Sequence, residues 1–244
     1  MIFGFSPAEV LLIVAVMAVA SFIQSCVGFG LALVAGPFLL MTDPGFVPGP
    51  MLAAALGLTL LIAGREFHEI DLRGVGYVML GRIPGTLVAV ALLALFTQHV
   101  YDLVFAGIVL AAVALSASGW RFHPTPRAAT LAGFTAGLMG TISSIGGPPL
   151  ALLYQHSTGP RMRSTLGAMF VLGALVSLTA LTCIGRFGAE ELRLTALMVP
   201  GALIGFLASS RGARWIDGGR LRPAVLGLSS ISAIAVLLRT YLMS

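Results

Sequence analysis

Lysine is absent from this 244-residue chain, and charge of any kind is scarce: 14 arginines and 9 acids make up 9% of the residues, where an ordinary soluble domain carries roughly a quarter. With 58% hydrophobic residues and a mean hydropathy of +1.01, the composition is that of an integral membrane protein with no room for a soluble domain. The net charge of +5 does not imply nucleic-acid binding. The arginines stand singly and in pairs in predicted loops, which is the pattern of topology signals and not of an electrostatic groove. Cysteine is nearly absent too: Cys26 and Cys183 are isolated, which excludes a C-x-x-C pair or thiolate metal site, and each reads as a small apolar residue. No Asp or Glu falls mid-span, so neither a carboxylate proton relay nor a sodium cage is visible. H-E-x-x-H, G-x-S-x-G and paired intramembrane carboxylates are missing, which removes the grounds for an intramembrane enzyme. Residues 1–8 hold no Lys or Arg, so the first apolar segment is expected to be retained, although Ala18-Val19-Ala20 mimics a signal-peptide cleavage site.

What the chain has in abundance is membrane-length apolar sequence, and two of those stretches are broken. Gly140-Thr141-Ile142-Ser143-Ser144-Ile145-Gly146-Gly147-Pro148-Pro149 interrupts one, and Ser25-Cys26-Val27-Gly28-Phe29-Gly30 interrupts another about 118 positions earlier. Backbone groups freed by such breaks cannot stay unpaired in hydrocarbon, so the breaks face protein or a polar cavity. A matched pair of broken helices is a pointer to a transporter's substrate site.

The two halves align in order. Gly49-Pro50 with Leu56-Gly57 lies over Gly159-Pro160 with Leu166-Gly167, Asp71-Leu72-Arg73 over Glu191-Leu192-Arg193, and Pro84-Gly85 over Pro200-Gly201. The expected architecture is an all-α polytopic membrane protein of two inverted repeats, each a re-entrant broken-helix hairpin plus three transmembrane helices. The first repeat, 1–119, has hairpin 8–41 and spans 50–64, 75–96 and 102–119; the second, 120–244, has hairpin 128–157 and spans 164–185, 194–210 and 223–241. With the N-terminus outside, ten arginines fall on the cytoplasmic side: Arg65, Arg73, Arg121, Arg127, Arg161, Arg163, Arg211, Arg214, Arg220 and Arg222. Only Arg186, Arg193 and Arg239 fall outside, as the positive-inside rule asks. Four simple spans per half would divide the loop arginines about evenly and explain nothing.

Each hairpin places a helix N-terminus at its tip, and two N-termini converging at the midplane favour an anion. The candidate substrate-binding residues are Ser25, Cys26, Gly28 and Gly30 at the first tip, Thr141, Ser143, Ser144, Gly146, Gly147 and Pro148 at the second, and Arg82. Glycines let a ligand approach the backbone, the hydroxyls add donors, and Pro148 fits a first helical turn. The competing reading of such small residues is tight helix packing. Arg82 is the one charge well inside a span, so it either faces a pathway or snorkels about 12 Å to the interface. His68, His99 and His123 read as interfacial, and His156, beside Tyr154 and Gln155, as a further segment-end histidine with a vestibule position as the lesser alternative; Trp120 and Tyr101 read as interfacial anchors.

At these residues the chain resembles the TauE/SafE family of sulfite and organosulfonate exporters, also called the TSUP family. The resemblance rests on Ser21-Phe22-Ile23-Gln24 leading to Gly28-Phe29-Gly30-Leu31, on Asp43-Pro44 with Pro48-Gly49-Pro50, and on Ser144-Ile145-Gly146-Gly147-Pro148-Pro149-Leu150. Many members have a richer glycine run and an earlier proline in the first hairpin, where this chain has Leu31-Ala32 and Pro37. The resemblance implies a multi-pass cell (inner) membrane transporter of sulfite, sulfonates or C2 acids without choosing among them. The partners expected are a small anion and the lipid bilayer, with no nucleic acid and no cofactor, and a homodimer is left open. A passive anion channel is the alternative, since duplicated hairpins suit that architecture as well.

Overall fold

A computed structural model describes residues 4–63, 69–118 and 125–212, together with 227 and 238. Among the described residues there are nine α-helices: α1 (Pro7–Val27), α2 (Leu31–Thr42), α3 (Gly49–Ala63), α4 (Leu72–Leu95), α5 (Gln98–Ala117), α6 (Pro126–Ser143), α7 (Gly147–Tyr154), α8 (Gly159–Cys183) and α9 (Ala189–Gly212). A short 3-10 turn, Pro44–Phe46, precedes α3. The expected span 223–241 lies outside the described residues apart from two positions, as do His68, His123 and Trp120.

Local chemistry sets the helix limits. Ser6 and Glu9 form a reciprocal capping box ahead of Pro7 at the start of α1, and α1 stops at Gly28, whose φ of 95° is left-handed. After Gly30, also at positive φ (123°), α2 begins. The second break is built differently: α6 ends at Ser144 in the left-handed region (φ 63°), and α7 restarts with Pro148 and Pro149 in its first turn.

Among the described residues, five helices are long and apolar enough to cross a membrane: α1, α4, α5, α8 and α9. Two expectations shift here. The first arm of hairpin 8–41 is itself a helix of 21 residues, about 31 Å long, while the described part of α3 is shorter than a span at 15 residues. The short arms α2 and α7 are wrapped by protein. All eight residues of α7 are buried, as are nine residues of α2 from Leu31 to Leu40. Helices this apolar on every side belong inside a bundle. The longer helices carry the lipid-facing surface: Leu80 and Leu87 of α4 and Leu131 of α6 are more than half exposed, a display that in water would mark an aggregation patch.

Glycine brings the long helices together. A Cβ at Gly81 or Gly85 of α4 would collide with the carbonyl oxygens of Thr130 or Phe134 of α6, and one at Gly133 or Gly137 of α6 with those of Val78 or Arg82 of α4. The crossing of α1 and α9 uses the same device, with Gly201 and Gly205 seated on the carbonyls of Val14 and Ala18. Between α4, α6 and α8 the hydroxyl of Thr141 bonds those of Thr86 (3.2 Å) and Ser177 (2.8 Å). All three are fully buried, so this polar knot holds the helices in register.

Candidate functional site

The two breaks meet around a cavity of about 50 Å³. Gly30 and the start of α2 form one wall, Ser144, Gly146, Gly147 and Pro148 another, and Arg82 of α4 reaches in from the side. Six of the residues singled out from the sequence therefore come together: Gly30, Arg82, Ser144, Gly146, Gly147 and Pro148.

Arg82 is 2% exposed, so its guanidinium is enclosed by protein and the snorkelling alternative falls. Its position depends on two glycines. The guanidinium fills the space where a Cβ of Gly173 on α8 would stand, and its Nη2 lies 3.5 Å from the Cβ position of Gly140 on α6. Its Nε and Nη1 are buried and have no hydrogen-bond partner. Among the described residues, no carboxylate lines the cavity. A buried cation without a counter-charge is costly by several kcal/mol, so an anion placed here would offset that cost.

The other singled-out residues do not line the cavity. Thr141 spends its hydroxyl in the knot with Thr86 and Ser177. Ser143 donates to Met139 O (2.8 Å) and accepts from the Ile145 N–H. The Ser25 Oγ is buried without a partner, and Cys26 is half-buried. Gly28 sits against Arg163, whose Cγ would be 3.3 Å from a Cβ there. Of the lining hydroxyls, Ser144 already donates to Pro48 O at 3.0 Å. Of the hydroxyl residues singled out from the sequence, Ser144 is the one that lines this cavity.

The two helix N-termini are also unequal. On α2 the first amide, Leu31 N–H, is taken by the Gln24 side-chain oxygen at 3.0 Å, which leaves those of Ala32 and Leu33, both at the cavity. On α7 the residues after Gly147 are Pro148 and Pro149, which have no N–H, so Gly147 is the single first-turn donor among them. A side chain at Gly146 would come within 2.9 Å of Ala136 O, so that glycine also serves the close approach of α7 to α6.

Four residues that matter here were not singled out as site residues: Gln24, Thr59, Phe29 and Gly173. Gln24 bonds Leu31 and, through its amide, Thr59 Oγ1 at 3.4 Å, and so ties the first break to α3. The signal was a glutamine inside an apolar helix one turn before the break. Tyr101, expected at the interface, is 4% exposed and donates to Ile142 O at 3.0 Å. His156 is exposed and lies away from the cavity.

The family model of the sulfite exporter TauE/SafE matches residues 13–236. Comparison with curated proteins and with solved structures returns no match.

Proposed function

The chain belongs to the sulfite exporter TauE/SafE family, and on that premise we propose that it is a carrier that binds a small sulfur oxyanion at Arg82, between the two broken helices. The observation that carries this reading is the buried guanidinium with two unpartnered nitrogens in a cavity without a carboxylate. An oxyanion supplies the missing charge and accepts charge-assisted hydrogen bonds. Size narrows the cargo. One water needs about 10–15 Å³ of such volume, so about 50 Å³ takes roughly three to five water-sized groups, which suits sulfite better than a bulky organic anion.

The architecture we propose is the inverted repeat with paired re-entrant hairpins in the inner membrane, N-terminus outside. Its support is a correspondence of packing: α1 crosses α9 through small residues as α6 crosses α4, and α3 packs on α8. Exchanging the halves carries each pairing into the other. Segments 44–50, 98–101 and 185–191 gather around one cavity, while Asp71 bonds Tyr154 at 3.1 Å and pairs with Arg161 at 3.8 Å at another place in the fold. Those groupings follow the division into outer and cytoplasmic loops that the arginine count suggested.

The test is a thermal-shift screen of purified protein against sulfite, thiosulfate, short sulfonates and small carboxylates, followed by flux in proteoliposomes. Stabilisation by sulfite in the native chain but not in Arg82→Ala supports the reading; equal stabilisation of both sinks it. Counterflow and saturation mark a carrier, and their absence during sulfite flux marks a channel.

A further inference from the structure

Beside the Arg82 cavity lies a second one of about 180 Å³ that nothing above assigns. It is lined mainly by apolar side chains, among them Val27, Leu152 and Met162, together with Ser116 and Gln155. The two cavities share Phe29 and Pro148 as their common wall. We propose that this second cavity is the continuation of the anion path toward the face that carries Gln155 and Met162, and that Phe29 is the barrier closing it in the observed conformation. The inference rests on the transport reading above and adds to it a route and a residue.

Three features of the first break fit a movable ring. Phe29 stands between Gly28 (φ 95°) and Gly30 (φ 123°), both in backbone conformations that glycine adopts readily and other residues resist. Gly28 N–H is held by Gln24 O (2.7 Å) and Gly30 O by Val34 N–H (3.0 Å), so the turn that re-aims the ring falls on the two peptides between them and on the Phe29 side chain. The ring packs on Gly147, where a Cβ would come within 2.9 Å of the Phe29 Cβ. The barrier is thus assembled from both breaks, and the Gly-Gly-Pro-Pro element serves as its seat. A phenyl group is held only by dispersion contacts. The Ser144 part of the Arg82 cavity wall is tied by the hydrogen bond from its side chain to Pro48 O at 3.0 Å. The Phe29 ring itself makes no hydrogen bond, so turning it breaks none.

The test uses a chain with Cys26→Ala and Cys183→Ala, into which Ala174→Cys is introduced as a reporter, since Ala174 lines the Arg82 cavity. Membrane vesicles expose one face at a time to 2-sulfonatoethyl methanethiosulfonate, an impermeant anion. The reporter should label slowly while Phe29 is present, and about tenfold or more faster in Phe29→Ala, from the face bearing residues 155–163, because the closed population is lost. Phe29→Leu, which retains apolar packing, should give a smaller acceleration and carries the test if the alanine variant does not fold. Unchanged labelling in the folded variants, or acceleration from the opposite face alone, overturns the proposal. Labelling does not depend on cargo, so the two readings fail separately. Accelerated labelling without sulfite flux keeps the route and removes the anion assignment. Sulfite binding that needs Arg82, with labelling unmoved by Phe29 variants, keeps the anion and removes the route.

Discussion

The Arg82 guanidinium occupies the volume that a side chain on Gly173 would need, so the two positions behave as one unit. Gly173→Ala should displace the guanidinium and weaken sulfite binding by about tenfold, the equivalent of one disturbed charge-assisted hydrogen bond. In an Arg82→Ala background the same substitution should cost almost nothing, and a double-mutant cycle on melting temperature reads this coupling without any ligand. Arg82→Lys keeps the charge but not the planar fork and should lose about tenfold in affinity, with Arg82→Ala losing up to about a hundredfold. Arg82→Met should move the other way in stability: it removes a buried unpaired cation, so the ligand-free protein melts higher than the native chain but gains nothing from added sulfite. A native chain saturated at 100 times its Kd should gain about 2.7 kcal/mol. An Arg82→Met variant that melts lower than the native chain would show that the guanidinium is satisfied by the fold alone.

At the scale of elements, the first break depends on Gln24, which caps α2 through Leu31 and reaches Thr59 of α3. Gln24→Leu strands the buried Leu31 N–H and should destabilise the protein by about 1–3 kcal/mol, read as a lower melting temperature in detergent. Gln24→Glu keeps an acceptor for that N–H but sets a carboxylate in a cavity wall shared with Arg82. It should therefore remove sulfite binding while leaving the fold in place, an outcome that a purely structural role for Gln24 would not produce. The α4–α6 crossing makes the stronger demand. Gly133→Leu drives a side chain into the Val78 backbone and should prevent assembly, visible as loss of a monodisperse peak. The placement of both breaks was legible beforehand, because Gly28, Gly30 and the Gly146-Gly147-Pro148-Pro149 run act locally on the backbone. The spent hydroxyl of Thr141 was not, since its partners Thr86 and Ser177 become neighbours only when the helices pack, whereas the bond from Ser143 to Met139 O is the local four-residue back-bond open to any helical serine.

For the whole molecule the prediction concerns sidedness. Single cysteines in the 42–49 loop and in 158–163 should label from opposite faces of the membrane, with the 42–49 loop outside. Labelling of both from one face would remove the paired hairpins and the inverted repeat together. α1 makes this test necessary, because 21 residues suffice to cross about 30 Å of hydrocarbon. Helix length alone allows a full crossing or a deep hairpin arm.

Composition, span lengths, the positions of the breaks and the family are properties of the sequence itself, because hydropathy and the Gly and Pro effects accumulate along the chain and need no partner. Helix orientation about its own axis is not such a property. A soluble helix advertises its buried face by an apolar stripe, but α4 and α8 are apolar on nearly every side, and nothing in their pattern says where Arg82 or Gly173 points. Only packing decided that Arg82 turns into the protein instead of snorkelling, that the Tyr101 ring is enclosed by protein, and that Phe29 stands between two cavities. In hydrocarbon the faces of a helix are distinguished by how closely small residues let a neighbour approach, and that is settled by tertiary contact.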